Sequence, residues 1–487
     1  MYELALVSLG AYLIGNTATQ ASIVLAVMVF AMGVGSLAAK PLQSRAIVSF
    51  AVIELALALG GGLSVLALYA AFAYLSLYTQ AMIVVAFGLG VLIGAEIPLL
   101  MVLLQRIRRQ DAGSAVADMF AADYVGALLG GLAFPFLLLP IFGQLRGALV
   151  VGLVNAAAGC FLVFVVFRKS LSRTQFVSLA AVAVAVVATL IAGLVYSTRF
   201  EVTARQALFR DPIVTAERSQ YQDIVITERR TPRGPDTRLY LNGDLQFSSS
   251  DEYRYHESLV HPAMAGPRRS VLILGGGDGL ALREVLTYRD VERATLVELD
   301  PEMIRLGRTD DRLVRLNLGS MTDPRAQIIA ADAFAWLREA RQRYDVIIVD
   351  MPDPDESATA KLYSAEFYSL VKEHLAPGGR IVVQSGSPYF APKTFWCIGA
   401  TLAAAGLATT PYHVDVPSFG DWGYFLAAEG TPPPLRLDAP GPLRFLSDAE
   451  LASAAVFPLD RQPVDVQPST LMDPRILRYA QGEWAAY

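Results

Sequence analysis

The chain has 487 residues, of which 54% are hydrophobic and 17% charged. This length exceeds one ordinary domain, and the composition is too apolar for a wholly soluble protein, so a membrane part is predicted. Residues 1–196 carry nine basic and six acidic side chains, whereas the rest of the chain carries 31 and 39. The acidic C-terminal half argues against a nucleic-acid partner, because phosphate binding requires a basic surface.

Cysteine and histidine are scarce in this sequence. Cys160 and Cys397 lie one in each half, and the chain has four histidines in all. A disulfide framework and a cysteine zinc site are therefore not predicted. We expect no metal and no bound cofactor.

Apolar segments of about 20 residues dominate the N-terminal half, and each can cross a bilayer core of about 30 Å as a helix. A shorter apolar segment, 2–15, precedes them and lacks the basic start of a signal peptide. The pattern predicts a multi-pass α-helical membrane domain over 1–197, with six to seven spans and the lipid bilayer as a partner. The six longer segments are 20–38, 47–72, 81–104, 119–141, 147–167 and 176–196.

Four acidic residues lie in or beside these segments: Glu54, Glu96, Asp118 and Asp123. A carboxylate inside a membrane is costly enough to be a functional candidate. The favoured interpretation is structural, with hydrogen bonds to neighbouring helices or positions near the interface. A role in transport or substrate entry is the alternative.

The C-terminal half begins with alternating polar and apolar residues. Segments 223–229 and 238–247 have the pattern of exposed strands, and Asn242-Gly243 is a turn signal. Residues 198–265 are therefore predicted to form a small antiparallel β-unit.

Apolar β-rich runs then alternate with helical patterns over 266–430. Such runs predict a parallel sheet covered by helices on both faces, which is a doubly wound, Rossmann-like α/β domain of the class I methyltransferase type. Residues 431–487 form a C-terminal extension. The predicted strands are 270–275, 294–300, 326–332, 345–350 and 380–386.

Candidate ligand-binding residues follow these strands, where doubly wound sheets bind their ligands. The first strand runs into a glycine-rich loop, 275–279, and Glu298 ends the second strand about 20 residues later. This loop and acid together indicate a nucleoside, with Glu298 accepting hydrogen bonds from ribose hydroxyls. Asp332, Asp350 and Asp353 follow later strands, although any one of them could simply cap a helix.

Asp278 distinguishes the loop GGGDG from a pyrophosphate-binding loop, because a carboxylate there would repel phosphate. The loop therefore favours a cationic ligand such as a sulfonium nucleoside. S-adenosylmethionine has a carboxylate beside its ammonium group, whereas the decarboxylated form retains only the ammonium, which Asp278 would attract.

Residues 219–430 resemble the polyamine aminopropyltransferases (spermidine synthases), and the hydrophobic N-terminus resembles the membrane-bound bacterial branch of that family. The matching motifs occur in the family's order. They are Tyr221-Gln222, LNGDLQFSSSDEYRYHESLVHPAM (241–264), GGGDG (275–279), VELD (297–300), Asp332-Ala333, DVIIVDMPDP (345–354), LYSAEFY (362–368) and PSFGDWGY (417–424).

The resemblance implies an enzyme that transfers an aminopropyl group from decarboxylated S-adenosylmethionine, a co-substrate, to a polyamine acceptor such as putrescine. It implies that Asp350 is the general base. The implied donor-binding residues are Gln222, Gly275, Gly277, Glu298, Asp332 and Ala333. The implied residues for the aminopropyl group and the amine are His256, Glu257, Asp278 and Asp353.

The sequence departs from the family pattern at Met351-Pro352, in the loop DPDESATA (353–360) and at Val416, and these changes leave the acceptor amine open. A methyltransferase on the same fold is an alternative, against which Asp278 argues. A transporter or polyamine sensor with a degenerate synthase domain is another, although Asp350 and Asp353 are both present. A nicotinamide dehydrogenase is a further alternative, but it would need a pyrophosphate-binding loop, which GGGDG is not.

Basic residues follow the apolar segments that end near 38, 104 and 167, and the positive-inside rule places these loops in the cytoplasm. If 176–196 then crosses once more, the catalytic half lies outside, away from its expected donor. We favour a multi-pass protein of the inner membrane with its catalytic half in the cytoplasm. This requires either that one apolar segment, such as 119–141, is re-entrant or that 176–196 is not a full span. A homodimer or higher oligomer is left open.

Overall fold

The computed structural model describes residues 1–14, 17–108, 112–232 and 234–484. The chain divides into two compact units, Met1–Arg210 and Asp211–Tyr487. The last helix of the first unit continues to Leu208. The boundary predicted at 197 therefore moves to Arg210.

The described part of the first unit is helical. Gly143 has a non-helical backbone (φ 71°, ψ −175°) and interrupts the sixth helix. The helices are α1 (Tyr2–Ile14), α2 (Thr17–Ala38), α3 (Ala46–Ala70), α4 (Tyr78–Arg108), α5 (Ala112–Ala133), α6 (Leu139–Phe161) and α7 (Arg173–Leu208).

Five helical stretches of this unit are long and apolar enough to cross a membrane. Both predicted segments 119–141 and 147–167 belong to one stretch, Val116–Val166, which the break at Gly143 divides. The predicted segment 2–15 corresponds to the shorter helix α1. Residue 15 and the basic residue Arg109 of a predicted cytoplasmic loop lie outside the described residues.

The second unit begins with the predicted antiparallel β-unit, a four-stranded sheet in sequential order. Asn242 (φ 53°) and Gly243 (φ 98°) form its last turn, and positive φ at both central positions is typical of a tight hairpin. The strands are β1 (Ile213–Arg218), β2 (Asp223–Thr231), β3 (Gly234–Leu241) and β4 (Asp244–Ser248).

A seven-stranded sheet follows, and its five parallel strands correspond to the five predicted from the sequence. The sheet order is β10-β11-β9-β8-β5-β6-β7, with an antiparallel pair, β10 and β11, at one edge. The strands are β5 (Ser270–Gly275), β6 (Arg293–Glu298), β7 (Ala326–Ala330), β8 (Tyr344–Asp350), β9 (Leu375–Gln384), β10 (Ala408–Val416) and β11 (Gly420–Ala428).

Helices cover both faces of this sheet and enclose two apolar cores, as a doubly wound fold requires. The C-terminal extension belongs to the same unit, since Ile476 is fully buried in one of these cores. The helices are α8 (Glu252–Met264), α9 (Leu280–Leu286), α10 (Pro301–Thr309), α11 (Asp311–Asn317), α12 (Ala333–Glu339), α13 (Ser357–Ala360), α14 (Ala365–Glu373), α15 (Pro392–Ala404), α16 (Asp448–Ala454) and α17 (Arg475–Trp484).

The register of the central strands determines where the candidate site forms. Gly275 at the end of β5 pairs with Asp350 at the end of β8. On the other side of β5, Leu274 pairs with Val297, the residue before Glu298. The carboxyl ends of three neighbouring strands therefore meet at one sheet edge, where such folds bind ligands.

Candidate active site

The glycine-rich loop after β5 is shaped by close backbone contacts. Gly275 has φ +88°, and a Cβ atom there would lie 2.0 Å from the carbonyl oxygen of Asp350. A Cβ atom at Gly277 would lie 2.7 Å from Cγ of Glu298. Glycine at these positions lets the loop pass between the ends of β6 and β8.

Glu298 is fixed by two backbone donors. Its Oε2 accepts from the N–H of Gly277 at 3.1 Å, and its Oε1 accepts from the N–H of Asp300 at 2.9 Å. Burial raises the pKa of Glu298 to about 7, although these two hydrogen bonds act in the opposite direction. Nearby, Nε2 of Gln222 donates to Oδ2 of Asp300 at 2.9 Å, which places Gln222 of the antiparallel unit next to the end of β6.

Asp332 follows β7 and caps α12, since its Oδ1 accepts from the N–H of Ala335 at 3.0 Å. Its Oδ2 accepts from Nζ of Lys361 at 2.7 Å. Burial opposes ionisation, but the Lys361 and backbone hydrogen bonds outweigh it and lower the pKa of Asp332. Asp332 is therefore a carboxylate at neutral pH, and the adjacent Ala333 is buried.

Asp350 ends β8 and accepts a hydrogen bond of 2.6 Å from the hydroxyl of Tyr255 in α8. Burial raises the pKa of Asp350 to about 6, and the neighbouring Asp278 adds to this rise, whereas His256 and the Tyr255 hydroxyl oppose it. A carboxyl group with this pKa can accept a proton and still be ionised at neutral pH, as a general base must be.

Asp353 lies three residues beyond Asp350, and Nε2 of Gln384 at the end of β9 donates to its Oδ1 at 3.2 Å. The same Nε2 lies 2.8 Å from the hydroxyl of the buried Tyr363. Burial raises the pKa of Asp353 to about 7, and Asp355 and Asp244 raise it further. A bound cation would favour the ionised form of Asp353.

Asp278 and His256 are neighbouring titratable groups that interact electrostatically with each other and with Asp350. Burial raises the pKa of Asp278, while the charge of His256 lowers it. Burial disfavours the imidazolium of His256, but the hydrogen bond and charge of Glu252 outweigh burial and raise its pKa. The buried His256 is therefore favoured to carry a positive charge next to the loop.

Glu252 contacts Nδ1 of His256, and Arg283 in turn holds Glu252 in place. Nδ1 of His256 donates to the carbonyl oxygen of Glu252 at 2.7 Å and to its Oε2 at 3.0 Å. Both oxygens of Glu252 accept from the Arg283 guanidinium, at 3.0 and 2.9 Å. Such a bidentate pair fixes position as well as charge, so the ring of His256 is held by its Nδ1 side.

Glu257 does not join this group of side chains. Its carboxylate accepts three hydrogen bonds of 2.9 Å from the backbone N–H groups of Arg444, Phe445 and Leu446 in the C-terminal extension. The resemblance implied an amine-binding role for Glu257. The structure instead commits both of its oxygens to the extension.

We predict that Glu257→Gln destabilises the second unit by about 1–3 kcal/mol, because the substitution weakens charge-assisted hydrogen bonds of a buried group. Aminopropyl transfer at saturating substrate should remain close to that of the unaltered protein. Thermal unfolding and activity of the same sample check this, with the exposed Glu429→Gln as the control. An unchanged unfolding midpoint with a large loss of activity would instead place Glu257 in the reaction.

The structure therefore brings together most of the predicted residues and adds several others. Tyr255 and Gln384 contact the two aspartates directly, and Glu252 and Arg283 position His256. Tyr255 was not singled out from the sequence, although it lies next to His256 in the matched motif. Gln384 could have been found as a polar residue at a strand end. The residues gathered at this edge are Gln222, His256, Gly275, Gly277, Asp278, Glu298, Asp332, Ala333, Asp350 and Asp353.

Comparisons with known proteins identify the family of this chain. Residues 252–438 match the spermine/spermidine synthase domain. The chain is 62% identical to polyamine aminopropyltransferase 1 of Streptomyces coelicolor, over 100% of this chain and 92% of that protein. It is 48% identical to the polyamine aminopropyltransferase of Mycobacterium tuberculosis, over 99% of this chain and 94% of that protein.

A crystal structure of spermidine synthase in complex with the transition-state analogue AdoDATO is 27% identical and has a TM-score of 0.46, covering 50% of this chain and 85% of that chain. The sequence relatives extend over both units of the chain. The chain belongs to the polyamine aminopropyltransferase family and is an aminopropyltransferase enzyme.

Proposed function

We propose that the chain transfers the aminopropyl group of decarboxylated S-adenosylmethionine, the co-substrate of its family, to putrescine. The proposal is carried by the pair Asp350 and Asp353, two half-buried carboxyl groups at the end of β8 and just beyond it. Asp350 lies beside the glycine-rich loop. A diamine has one nitrogen to react and a second, charged nitrogen to be anchored. Two carboxyl groups three residues apart suit these two tasks.

In this proposal the donor lies along the strand ends, with Glu298 at the ribose hydroxyls and Asp332 and Ala333 at the adenine. Gln222 holds the thioadenosine part from the antiparallel unit. Asp278 and His256 flank the aminopropyl chain. Glu298 already accepts two backbone hydrogen bonds, so its carboxylate is held in a fixed direction toward the ligand.

The reaction needs a free amine, whereas the nitrogens of putrescine are protonated near neutral pH. Asp350 takes one proton, and the nitrogen lone pair then attacks the carbon next to the sulfonium. The carbon–sulfur bond breaks, its electron pair stays on sulfur, and neutral methylthioadenosine leaves without needing an acid. Asp353 holds the other ammonium group and aligns the attacking nitrogen with the carbon.

A panel of amines tests the choice of acceptor. Asp244 and Asp355 lie close enough to Asp353 to raise its pKa, so a longer amine has further carboxylates within reach and belongs in the panel. Purified protein is incubated with the decarboxylated donor and putrescine, cadaverine or spermidine, and products are identified by mass spectrometry. The proposal predicts the highest kcat/KM with putrescine. A preference for spermidine would overturn this choice of acceptor.

Two alternatives lose support from these observations. A methyltransferase would have to accommodate the carboxylate of S-adenosylmethionine. Asp278 in the loop would repel that carboxylate. A transporter or sensor with a degenerate synthase domain would not need both Asp350 and Asp353. The curated relatives named above are polyamine aminopropyltransferases.

For the first unit, we propose a multi-pass anchor in the cell membrane, supported by five helical stretches of sufficient length and apolarity. The catalytic unit would face the cytoplasm, where the donor is expected to be made. A reporter that is active only in the periplasm, fused after Tyr487, tests this orientation. A strong periplasmic signal would contradict it.

The catalytic residues of this account all belong to the second unit, Asp211–Tyr487. We therefore predict that a shortened chain beginning near Arg210 still binds methylthioadenosine, with an affinity within about threefold of that of the full chain. Isothermal titration calorimetry measures both affinities. A shortened chain that is folded by circular dichroism but does not bind would show that the helices complete the site.

A further inference from the structure

The helical unit contains a polar cluster that the transfer reaction does not use. Glu54 of α3 is buried, with 6% of its surface exposed, and its Oε2 accepts from Nδ2 of Asn155 in α6 at 2.9 Å. Glu96 of α4 forms a hydrogen bond with the carboxyl group of Glu54. Because ionised carboxylates only accept hydrogen bonds, this contact requires a proton on one of the two groups.

A third oxygen near this pair belongs to Tyr2, which interacts electrostatically with both carboxyl groups. Tyr2 of α1 is 7% exposed, and its buried hydroxyl makes no hydrogen bond within the described part of the chain. Tyr2 lies within electrostatic range of both Glu54 and Glu96. Its ring packs against Gly61 of α3, where a Cβ atom would come within 2.3 Å of Cε1 of the ring. Glycine at position 61 thus leaves room for the tyrosine beside the carboxyl pair.

A buried hydroxyl without a partner is uncommon, because an unmade hydrogen bond in an apolar interior costs free energy. Two more such oxygens lie along α1. Oε1 of Gln20 and the hydroxyl of Tyr78 are buried without a partner among the described residues, and each lies 3.2 Å from the position of a Cβ atom at Gly10. Gly10 is about 12 Å along α1 from Tyr2. Unsatisfied polar groups therefore continue along this helix beyond the carboxyl pair.

We propose that Glu54, Glu96 and Tyr2 form a second binding site, which takes a primary ammonium group in exchange for the proton of the carboxyl pair. A primary ammonium group has three N–H donors, and the site offers oxygen acceptors from three different helices. Asn155 keeps its hydrogen bond to Glu54 in both states. This site is separate from the aminopropyl-transfer site and does not depend on the proposed acceptor.

The charge balance favours this exchange. A carboxyl pair that shares one proton has a net charge of −1; when the ammonium binds and the proton leaves to solvent, two carboxylates and one ammonium again sum to −1. The buried charge is unchanged, so the exchange avoids the cost of adding an unpaired ion to an apolar interior. Among the described residues, Tyr2 of α1 and Asp123 of α5 act electrostatically on the pair.

Calorimetry on the full chain tests this site with n-butylamine as the probe. The protein carries Asp350→Asn and Asp353→Asn to weaken amine binding at the transfer site. Titration in two buffers with different ionisation enthalpies gives the number of protons released. Since n-butylamine is fully protonated at neutral pH, a released proton must come from the protein. We expect one proton per bound amine, and at least about tenfold weaker binding of butyltrimethylammonium, which has the same charge without N–H donors.

Substitutions in the same background locate the binding. Glu54→Gln and Glu96→Gln are each expected to abolish proton release and to weaken n-butylamine by at least about tenfold, whereas Tyr2→Phe should weaken it roughly threefold to tenfold through one lost hydrogen bond. Glu3→Gln, one residue from Tyr2, is the matched control and should change neither quantity. Absence of proton release, or binding that both glutamine variants leave unchanged, would overturn the proposal.

Folding is checked by thermal unfolding, and by aminopropyl transfer when the same substitutions are made in the catalytically intact chain, where they are expected to leave the rate unchanged. If a glutamine variant does not fold, the Tyr2→Phe variant and the comparison of the two amines test whether the site exists. Equal binding of both amines, together with an unaffected Tyr2→Phe variant, would reject the site. Loss of amine binding with transfer retained would leave the proposed enzymatic function intact.

Discussion

Replacing Asp350 by asparagine is expected to lower turnover by at least about 100-fold at neutral pH, because the substitution preserves the shape of the side chain but removes the proton acceptor. Steady-state kinetics with the decarboxylated donor measure this effect. Affinity for methylthioadenosine should be unchanged, since the proposed function places Asp350 at the amine. Unchanged turnover would place the base elsewhere, with Tyr363 next to be tested.

The pH dependence of this reaction follows from the pKa of Asp350, which burial raises to about 6. The base is ionised above that pH, so turnover of the unaltered enzyme should fall as the pH drops through about 6. The Asp350→Asn variant should lose the inflection near pH 6, while a limb near pH 7 from Glu298 and Asp353 can remain. It should also recover part of its activity as the pH rises, because more of the amine is then free. A variant profile that keeps the inflection near pH 6 would argue against Asp350.

Tyr255→Phe gives a graded version of the same test. The Tyr255 hydroxyl donates to Oδ1 of Asp350, and this hydrogen bond lowers the pKa of the carboxyl group. Its removal should therefore raise the pKa and move the acidic limb of the rate profile to higher pH. A pure loss of rate without a shift of this limb would assign Tyr255 a different role.

Replacing Asp278 by asparagine is expected to weaken binding of the decarboxylated donor by about 1.5–3 kcal/mol, roughly 10-fold to 150-fold, through loss of a charge-assisted hydrogen bond to its ammonium group. S-adenosylmethionine, which carries a carboxylate as well, should lose much less. Titration calorimetry with both donors measures the difference, and Asp332→Asn is the control because it should weaken both donors equally. Equal affinity of the unaltered protein for both donors would contradict a selective role for Asp278.

The sequence predicted the strand ends and their carboxylates because parallel strands align their ends whatever the details of packing. Asp350 lies next to Gly275 for this reason. Once β5 and β8 are neighbours in the sheet, their ends meet without any further contact being specified. The antiparallel unit was predicted in kind, since the Asn242-Gly243 turn and the strand alternation are local signals. Its predicted range, 198–265, was too wide, because α7 continues to Leu208 and α8 begins at Glu252.

Contacts between distant parts of the chain could not be predicted in the same way. Glu257 is bonded to residues 187 to 189 positions away, and nothing in its own helix reveals that the C-terminal extension covers it. The pairing of Glu252 with Arg283 spans 31 residues and fixes His256 only through the packing of α8 on α9. The boundary near 197 was placed too early because the sequence becomes polar there while α7 continues to Leu208.

A structure of the protein with bound methylthioadenosine and putrescine tests the central claim most directly. Our account predicts Glu298 within hydrogen-bond distance of the ribose hydroxyls, Asp332 near the adenine, and the two nitrogens of putrescine at Asp350 and Asp353. The nitrogen at Asp350 should be the one directed toward the sulfur of methylthioadenosine. Putrescine bound with neither nitrogen within reach of Asp350, or a nucleoside bound away from Glu298, would contradict it.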